Sequence, residues 1–322
     1  MSIGDEEKDL VKWLLKHQPP NTTKVYNTYS KQYLLFCVVK GYDKESSVAV
    51  ASFMRASYDR GLRGRSTLTS SIPSAIADMF RYEGFNPCDS ALVKQMKRVL
   101  TNLSNPPVSK LPLEVHHLEA ISELVRPNFL EVRDFFIILL MMAGMLRENE
   151  AMSLRKIDVW IEVINKVPCL FVFVAKAKND QSRIGHSIVI GPSPNRKICP
   201  VRWYRAYMNL RSPGRPALFH RFDSSLRHLS SVQPNFVIKR LLKEIGVDPT
   251  KFGSHSCRRG GVTAAVAQGI EIRLIARHGN WKSDAIFTYI SDSLQSRLSV
   301  SRAILKNRHP HRDPRRHHHI SR

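Results

Sequence analysis

Through the first hundred residues, apolar positions recur at helical steps and are interrupted by clusters of turn residues, with no strand-like alternation. Asn21-Thr22-Thr23 offers a cap for a helix running to about Lys40, and Gly41 ends it. Ser46-Ser47 opens a second helix that closes at the Gly61 to Gly64 turn. A third is predicted over 66–81, before Gly84, and a fourth over 90–103. The following stretch, 104–112, breaks any helix, because Pro106 and Pro107 remove backbone donors and hold the wrong geometry. Helices resume over 114–125 and 128–146, the latter with an apolar run from Phe135 to Leu146 that marks it as buried. Two runs, 169–175 and 186–190, flank a polar turn and read as strands. Pro200 begins another helix at a first-turn position, and further helices are predicted near 231–245, 258–268 and 271–277.

This order divides the chain into a helical part over 1–103, a linker over 104–113 and a larger second part over 114–306. A tail over 307–322, rich in Arg, His and Pro, is expected to be disordered, and no internal repeat is visible. The apolar run is too short to span a bilayer, the polar start MSIGDEEKDL carries no secretory signal, and no membrane partner is expected. The five cysteines (Cys37, Cys88, Cys169, Cys199, Cys257) have no paired spacing, so they read as buried thiols and not as a zinc site or disulfide frame.

Charge changes the picture. The 322 residues hold 50 Lys and Arg against 27 Asp and Glu, a formal net charge of +23. Residues 1–110 carry 16 basic and 10 acidic side chains, hence +6, and 111–322 carry 34 and 17, hence +17. Such a field favours a polyanion, and without a basic amphipathic helix for a membrane surface, nucleic acid leads.

Four short phrases in the second part carry candidate chemistry. In Gly144-Met-Leu-Arg147-Glu-Asn-Glu150, an apolar helix delivers a guanidinium, a forked donor suited to phosphate oxygens, with a carboxylate three residues on. In Lys176-Ala-Lys178-Asn-Asp-Gln, a basic turn between strands places a lysine where it can protonate a leaving oxygen. His255-Ser-Cys-Arg258-Arg259-Gly-Gly sets two basic groups on one face of a helix start. Finally, Trp281-Lys-Ser283-Asp-Ala-Ile-Phe-Thr-Tyr289 carries a phenol on a short helix that Ser283 can cap. A phenol is a poor nucleophile unless a charged site takes up its proton and the developing phosphate charge. Each phrase alone has an ordinary reading: a surface or capping Arg, a solvated hairpin tip, incidental charges at a helix start, a half-buried core tyrosine.

Together and in this order, they resemble the tyrosine recombinase (phage-integrase-like) family, whose catalytic set runs Arg…Lys…His-x-x-Arg…His/Trp…Tyr. The resemblance spans residues 144–290. Leu-Arg147-x-x-Glu150, Lys178-Asn-Asp-Gln, Ile198-Cys199-Pro200-Val201, His255-Ser-Cys-Arg258-Arg-Gly and Trp281-Lys-Ser-Asp…Tyr289-Ile are most similar to eukaryotic mobile-element recombinases of the Crypton, DIRS and Ngaro types. Many bacterial members place the tyrosine nine residues after the His/Trp position, whereas Tyr289 comes eight after Trp281, a step the eukaryotic type shares. His278 stays as a rival to Trp281, and Lys176 as a rival to Lys178, which aligns with the Lys-x-Asp-Gln phrase.

The resemblance implies a mainly α protein: an all-helical N-terminal core-binding (SAM-like) domain, then a mixed α+β catalytic domain with a small antiparallel sheet. It implies duplex DNA as partner, a homotetramer on two DNA sites, and no metal or other cofactor. On it, Arg147 and Arg258 hold the scissile phosphate, Tyr289 attacks, Lys178 protonates the leaving oxygen, His255 takes the phenolic proton, Trp281 packs against the phosphate and Glu150 buttresses the site. A eukaryotic host would place it in the nucleus; otherwise it is intracellular and DNA-associated. A type IB topoisomerase, a recombinase that keeps DNA binding without chemistry, and an RNA-binding or scaffold protein remain as alternatives. The apolar spacing over 294–305 fits a helix that docks either on a neighbouring subunit or in cis.

Overall fold

A computed structural model describes residues 10, 13–14, 20–106, 109–175, 184–221, 228–292 and 294–304. The chain forms two compact units, Met1–Ser109 and Lys110–Arg322. The first is helical: α1 (Pro20–Lys40), α2 (Ser47–Asp59), α3 (Ile72–Met79) and α4 (Ala91–Leu103). Ser46 and Ser90 cap α2 and α4, accepting from Val48 N and Val93 N at 3.2 Å each. Tyr33, Phe53, Met54, Leu68, Ile72 and Ile76 fill its core. The third predicted helix is not uniform. A π-helical turn over Thr67–Ser71 precedes α3, and Ile72 N–H reaches back to Thr67 O. Pro73 next to it has no N–H to sustain the ordinary ladder, so the wider turn sits where the ladder is already broken.

In the second unit, α5 (Val115–Leu124) leads to α6 (Phe129–Ala143), which Asn128 caps through Glu131 N at 3.0 Å. Phe135, Phe136, Ile137, Ile138, Leu140 and Met141 are fully buried, so α6 is enclosed on all sides. Helices α8 (Pro200–Leu210), α9 (Gln233–Glu244) and α10 (Ser254–Ala267) pack on it. Short α7 (Glu148–Ser153) lies between α6 and the sheet in sequence. After α10 come α11 (Ile272–His278), a 3₁₀ helix over Asp284–Tyr289, and α12 (Leu294–Ile304).

The sheet has three antiparallel strands in the order β1 (Val159–Ile164), β2 (Val167–Val174), β3 (His186–Ile190). Val159 pairs with Val172, and Leu170 with Ile190. Strand β1 was not expected. Its hairpin turns on Asn165 and Lys166 at φ 49° and 68°, both left-handed, and Lys in place of Gly hides that turn from the sequence. Helix α6 also stops earlier than 146. Met145 adopts φ 49°, with Leu146 N bonded to Met141 O at 3.0 Å and Met145 N to Met142 O at 3.2 Å, a Schellman closure with Met in the place usually held by Gly.

Residues 110–113, counted above with the linker, pack in the second unit. Leu113 is fully buried, and Leu111 N and Leu113 N donate to Lys251 O and Ser256 O at 2.9 Å each. Glycines on α10 make this approach possible. A Cβ at Gly260 would fall inside the radius of Leu113 O, and one at Gly261 inside that of Met142 O. Gly260→Ala is therefore expected to cost about 3 kcal/mol, the upper end for overpacking against backbone that has no free rotamer. Gly191→Ala, at an ordinary φ with nothing within 4 Å, should change stability by less than about 0.5 kcal/mol. Urea unfolding of the two variants measures the difference.

Candidate active site

The site is built at helix ends. Beyond the Met145 reversal, Arg147 occupies the N-cap position of α7 and Glu150 its third residue. The Glu150 carboxylate accepts from Arg147 N at 2.8 Å and from Arg147 Nη1 at 2.7 Å, half of a capping box fused to an ion pair. Glu150 is 3% exposed. Its Oε2 lies 3.8 Å from Nη1 of Arg258, so one buried carboxylate serves two guanidiniums.

Arg258 projects from the first turns of α10 and is 1% exposed. Its Nη1 donates to Met145 O and its Nη2 to Gly279 O, the latter at 2.7 Å. The guanidinium carbon sits 3.6 Å from the centroid of the Trp281 ring and 5.6 Å from that of Tyr289. Burial, and after it the neighbouring Arg147, lower the Arg258 pKa from its ordinary value, while Glu150 and Tyr289 raise it. A guanidinium stays protonated in a protein, so the cluster holds two positive charges against one negative.

Trp281 reaches this position by a turn at the end of α11. Asn280 takes φ 53°, Trp281 N bonds back to Ala276 O at 2.8 Å, and the indole folds over Gly279, where any Cβ would strike the ring. Asn280 Nδ2 also lies 3.1 Å from Nδ1 of His186 on β3. Tyr289 ends the 3₁₀ helix, its ring centroid 5.3 Å from that of Trp281 at 69° and 6.3 Å from that of exposed His255. Met145, Val262, Ile275, Trp281 and Ile286 form a small core beneath, with Tyr289 half-buried against it. Ser283 stands at the N-cap position but makes no capping hydrogen bond with its side chain, unlike the expectation above.

The structure thus brings Arg147, Glu150, His255, Arg258, Trp281 and Tyr289 together. His278 is turned elsewhere: its Nε2 pairs with Ala143 O at 2.9 Å, tying α11 to the end of α6. Lys176 and Lys178 lie outside the described residues. Two buried donors of the cluster, Arg258 Nε and Trp281 Nε1, have no hydrogen-bond partner. Surplus N–H groups and surplus positive charge make this a place for an anion. Among the described residues no group of three His, Cys, Asp or Glu side chains could hold a metal ion, and all five cysteines are free and buried. Sequence reasoning missed the carbonyls of Met145 and Gly279 that orient Arg258. Nothing in the sequence marks Met145, because Met has no preference for a left-handed backbone.

Comparison with known proteins gives a match to the model of the phage integrase family over residues 112–293. The chain belongs to the phage integrase family. All six clustered side chains fall inside the match. An integrase/recombinase XerD homolog of Selenomonas ruminantium is 28% identical over 180 residues, 54% of this chain and 52% of that protein. The chain therefore spans about half the length of this curated relative. Among solved structures, the XerH site-specific recombinase bound to a palindromic difH substrate has a TM-score of 0.58 at 17% identity, over 81% of this chain and 70% of that one. The Tn1549 transposon integrase in complex with transposon right end DNA scores 0.60 at 12% identity over 89% and 95% of the two chains. A lambda integrase dimer bound to a COC′ core site scores 0.56 at 15% over 90% and 76%. At these identities the likeness is one of fold, and it covers the mostly helical architecture with its small antiparallel sheet.

The shared carboxylate yields a stability prediction. Glu150→Gln leaves the buried Arg258 guanidinium uncompensated beside the half-buried Arg147 and should destabilise the second unit by about 3 kcal/mol, the lower end of the range for removing one partner of a buried ion pair. The exposed pair of Glu123 and Lys197, 2.6 Å apart, is solvent-screened, so Glu123→Gln should leave the urea midpoint unchanged.

Proposed function

We propose that this member of the phage integrase family is a site-specific DNA recombinase that cuts and rejoins strands through a covalent 3′-phosphotyrosine and a Holliday junction. One observation carries the reading: the Tyr289 and Trp281 rings converge on Arg258, which shares the Glu150 carboxylate with Arg147, and the His255 imidazole stands beside the Tyr289 ring.

In this mechanism Arg147 and Arg258 bind the non-bridging oxygens of the scissile phosphate and stabilise the charge of the pentacoordinate transition state. The Tyr289 oxygen attacks phosphorus as His255 accepts its proton. The bond to the 5′-oxygen breaks, and Lys178 protonates that leaving oxygen. Trp281 closes the pocket and offers its indole N–H. The bond energy stays in the phosphotyrosine, and the 5′-hydroxyl of a partner strand reverses the step. Hydrogen bonds among such groups tighten when substrate binds, which fits the open spacing between His255 and Tyr289.

The partner in this reading is duplex DNA, with two sites held by a homotetramer. Helix α12 suits a contact between subunits, because Leu294, Val300 and Ile304 are 61–76% exposed. The phrases around Lys178, Arg258 and Trp281 point to the eukaryotic mobile-element type, for which the nucleus is the site of action. Among the described residues no helix is long and apolar enough to cross a membrane.

Two outcomes are expected. Incubation with nicked suicide duplexes from a randomised pool, whose 5′-hydroxyl fragment diffuses away, should give a denaturant-resistant adduct. Tyr289→Phe should abolish it with DNA affinity nearly unchanged. Arg147→Ala and Arg258→Lys should slow adduct formation about 10²–10³-fold, the cost of one donor to a developing oxyanion. An adduct formed by Tyr289→Phe would place the nucleophile elsewhere. Independently, log affinity for duplex DNA should fall linearly with log salt, by about 0.9 per phosphate contacted. A flat salt response, measured by mobility shift, would refute backbone-dominated binding.

A further inference from the structure

We propose that Arg259 is the positioning residue for Tyr289, holding the backbone that carries the phenol while Arg258 beside it faces the phosphate; the proposal rests on the phosphotyrosine reading above. Adjacent residues on an α-helix diverge by roughly 100°, so the two guanidiniums leave α10 in different directions. Arg258 is buried among Glu150, Met145, Gly279 and Trp281. Arg259 instead remains partly exposed and donates to two backbone carbonyls, Nη2 to Thr288 O and Nη1 to Lys110 O, the second at 3.3 Å.

The turn that bears the phenol has few other supports. Its 3₁₀ helix is six residues long and has no side-chain cap at Ser283. Only Ile286 within it is fully buried, and Phe287 is 56% exposed. The last carbonyls of any helix lack partners inside it. Here two of them are taken up from α10: Thr288 O by Arg259, and Tyr289 O by Thr263 Oγ1 at 3.4 Å, one helical turn further along. These bonds fix the peptide units on both sides of the Tyr289 Cα.

The other end of the fork is anchored as well. Lys110 begins the segment that bonds to Lys251 O and Ser256 O and is wedged against Gly260. Arg259 therefore ties a lightly held turn to backbone that is held at several points. A guanidinium can bridge two carbonyls in fixed geometry, whereas an ammonium is a single rotating point charge. In-line attack is sensitive to placement, and a displacement of about 1 Å costs on the order of 10²-fold in rate.

The test uses the full chain, the suicide duplexes and single-turnover kinetics. Arg259→Ala should lower the saturating rate of adduct formation by about 10–100-fold, with the half-saturating DNA concentration and the salt slope unchanged. Arg259→Lys should recover little of that loss. Hydrogen peroxide as a small diffusing nucleophile supplies the separating measurement: cleavage that peroxide drives in Tyr289→Phe needs no placed phenol. It should proceed equally with and without Arg259→Ala. Weaker DNA binding with a salt slope smaller by about 1 would make Arg259 a phosphate contact, and equal loss of peroxide cleavage would make it part of the phosphate site or of folding; either overturns the proposal. Adduct formation by Arg259→Ala at the unaltered rate overturns it alone. No adduct from the unaltered chain overturns the phosphotyrosine reading and this proposal with it.

Discussion

A carboxylate buried between two guanidiniums governs the second unit. Taking an ion out of water costs several kcal/mol after relaxation, and Arg258 has almost no solvent contact. Glu150 offsets part of that cost, and the carbonyls of Met145 and Gly279 satisfy two of the remaining donors. Both carbonyls come from places where a helix has just ended, so the ends of α6 and α11 are set by what Arg258 requires. The left-handed Met145 is the clearest sign. A non-glycine residue there carries a small strain, and the orientation of its carbonyl goes with it.

Packing makes this electrostatic arrangement reachable. Helix α10 carries Arg258 and must come close to α6, whose end supplies Met145 and, just beyond it, Arg147. The pair Gly260-Gly261 follows Arg258 and Arg259, and each lies where a methyl group would strike a backbone oxygen. Their role is therefore spatial: neither takes a positive φ, and both are needed for close approach. Through them the core of α6 is coupled to the geometry of a polar site at its rim.

Much of this was legible in the chain. The helices predicted to open at Ser46, Ser90 and Asn128 do begin there, and α6 announces itself by its unbroken apolar run. The clustering of Arg147, His255, Arg258, Trp281 and Tyr289 could be anticipated only through the resemblance of the four phrases, taken together and in order, to the phage-integrase catalytic set. What stayed hidden depends on backbone geometry that side-chain identity does not encode. Strand β1 escaped because four of its six residues are exposed and its turn lacks Gly. The Met145 closure escaped because a Met there looks like one more apolar helix residue. The shared use of Glu150 by Arg258 is a contact between residues 108 positions apart, which no local pattern can announce.

That separation has a consequence for the growing chain. Glu150 leaves the ribosome with Arg147 three residues before it, so its charge finds a local partner at once. Arg258 follows more than a hundred residues later, and the Lys110 segment waits still longer, 149 positions, for Arg259. Contacts so distant in sequence form late, after their loop-closure cost is met. The cluster around Arg258 thus stays unassembled until nearly the whole second unit has been synthesised, and a prematurely terminated chain is left with a charge pair and no cluster.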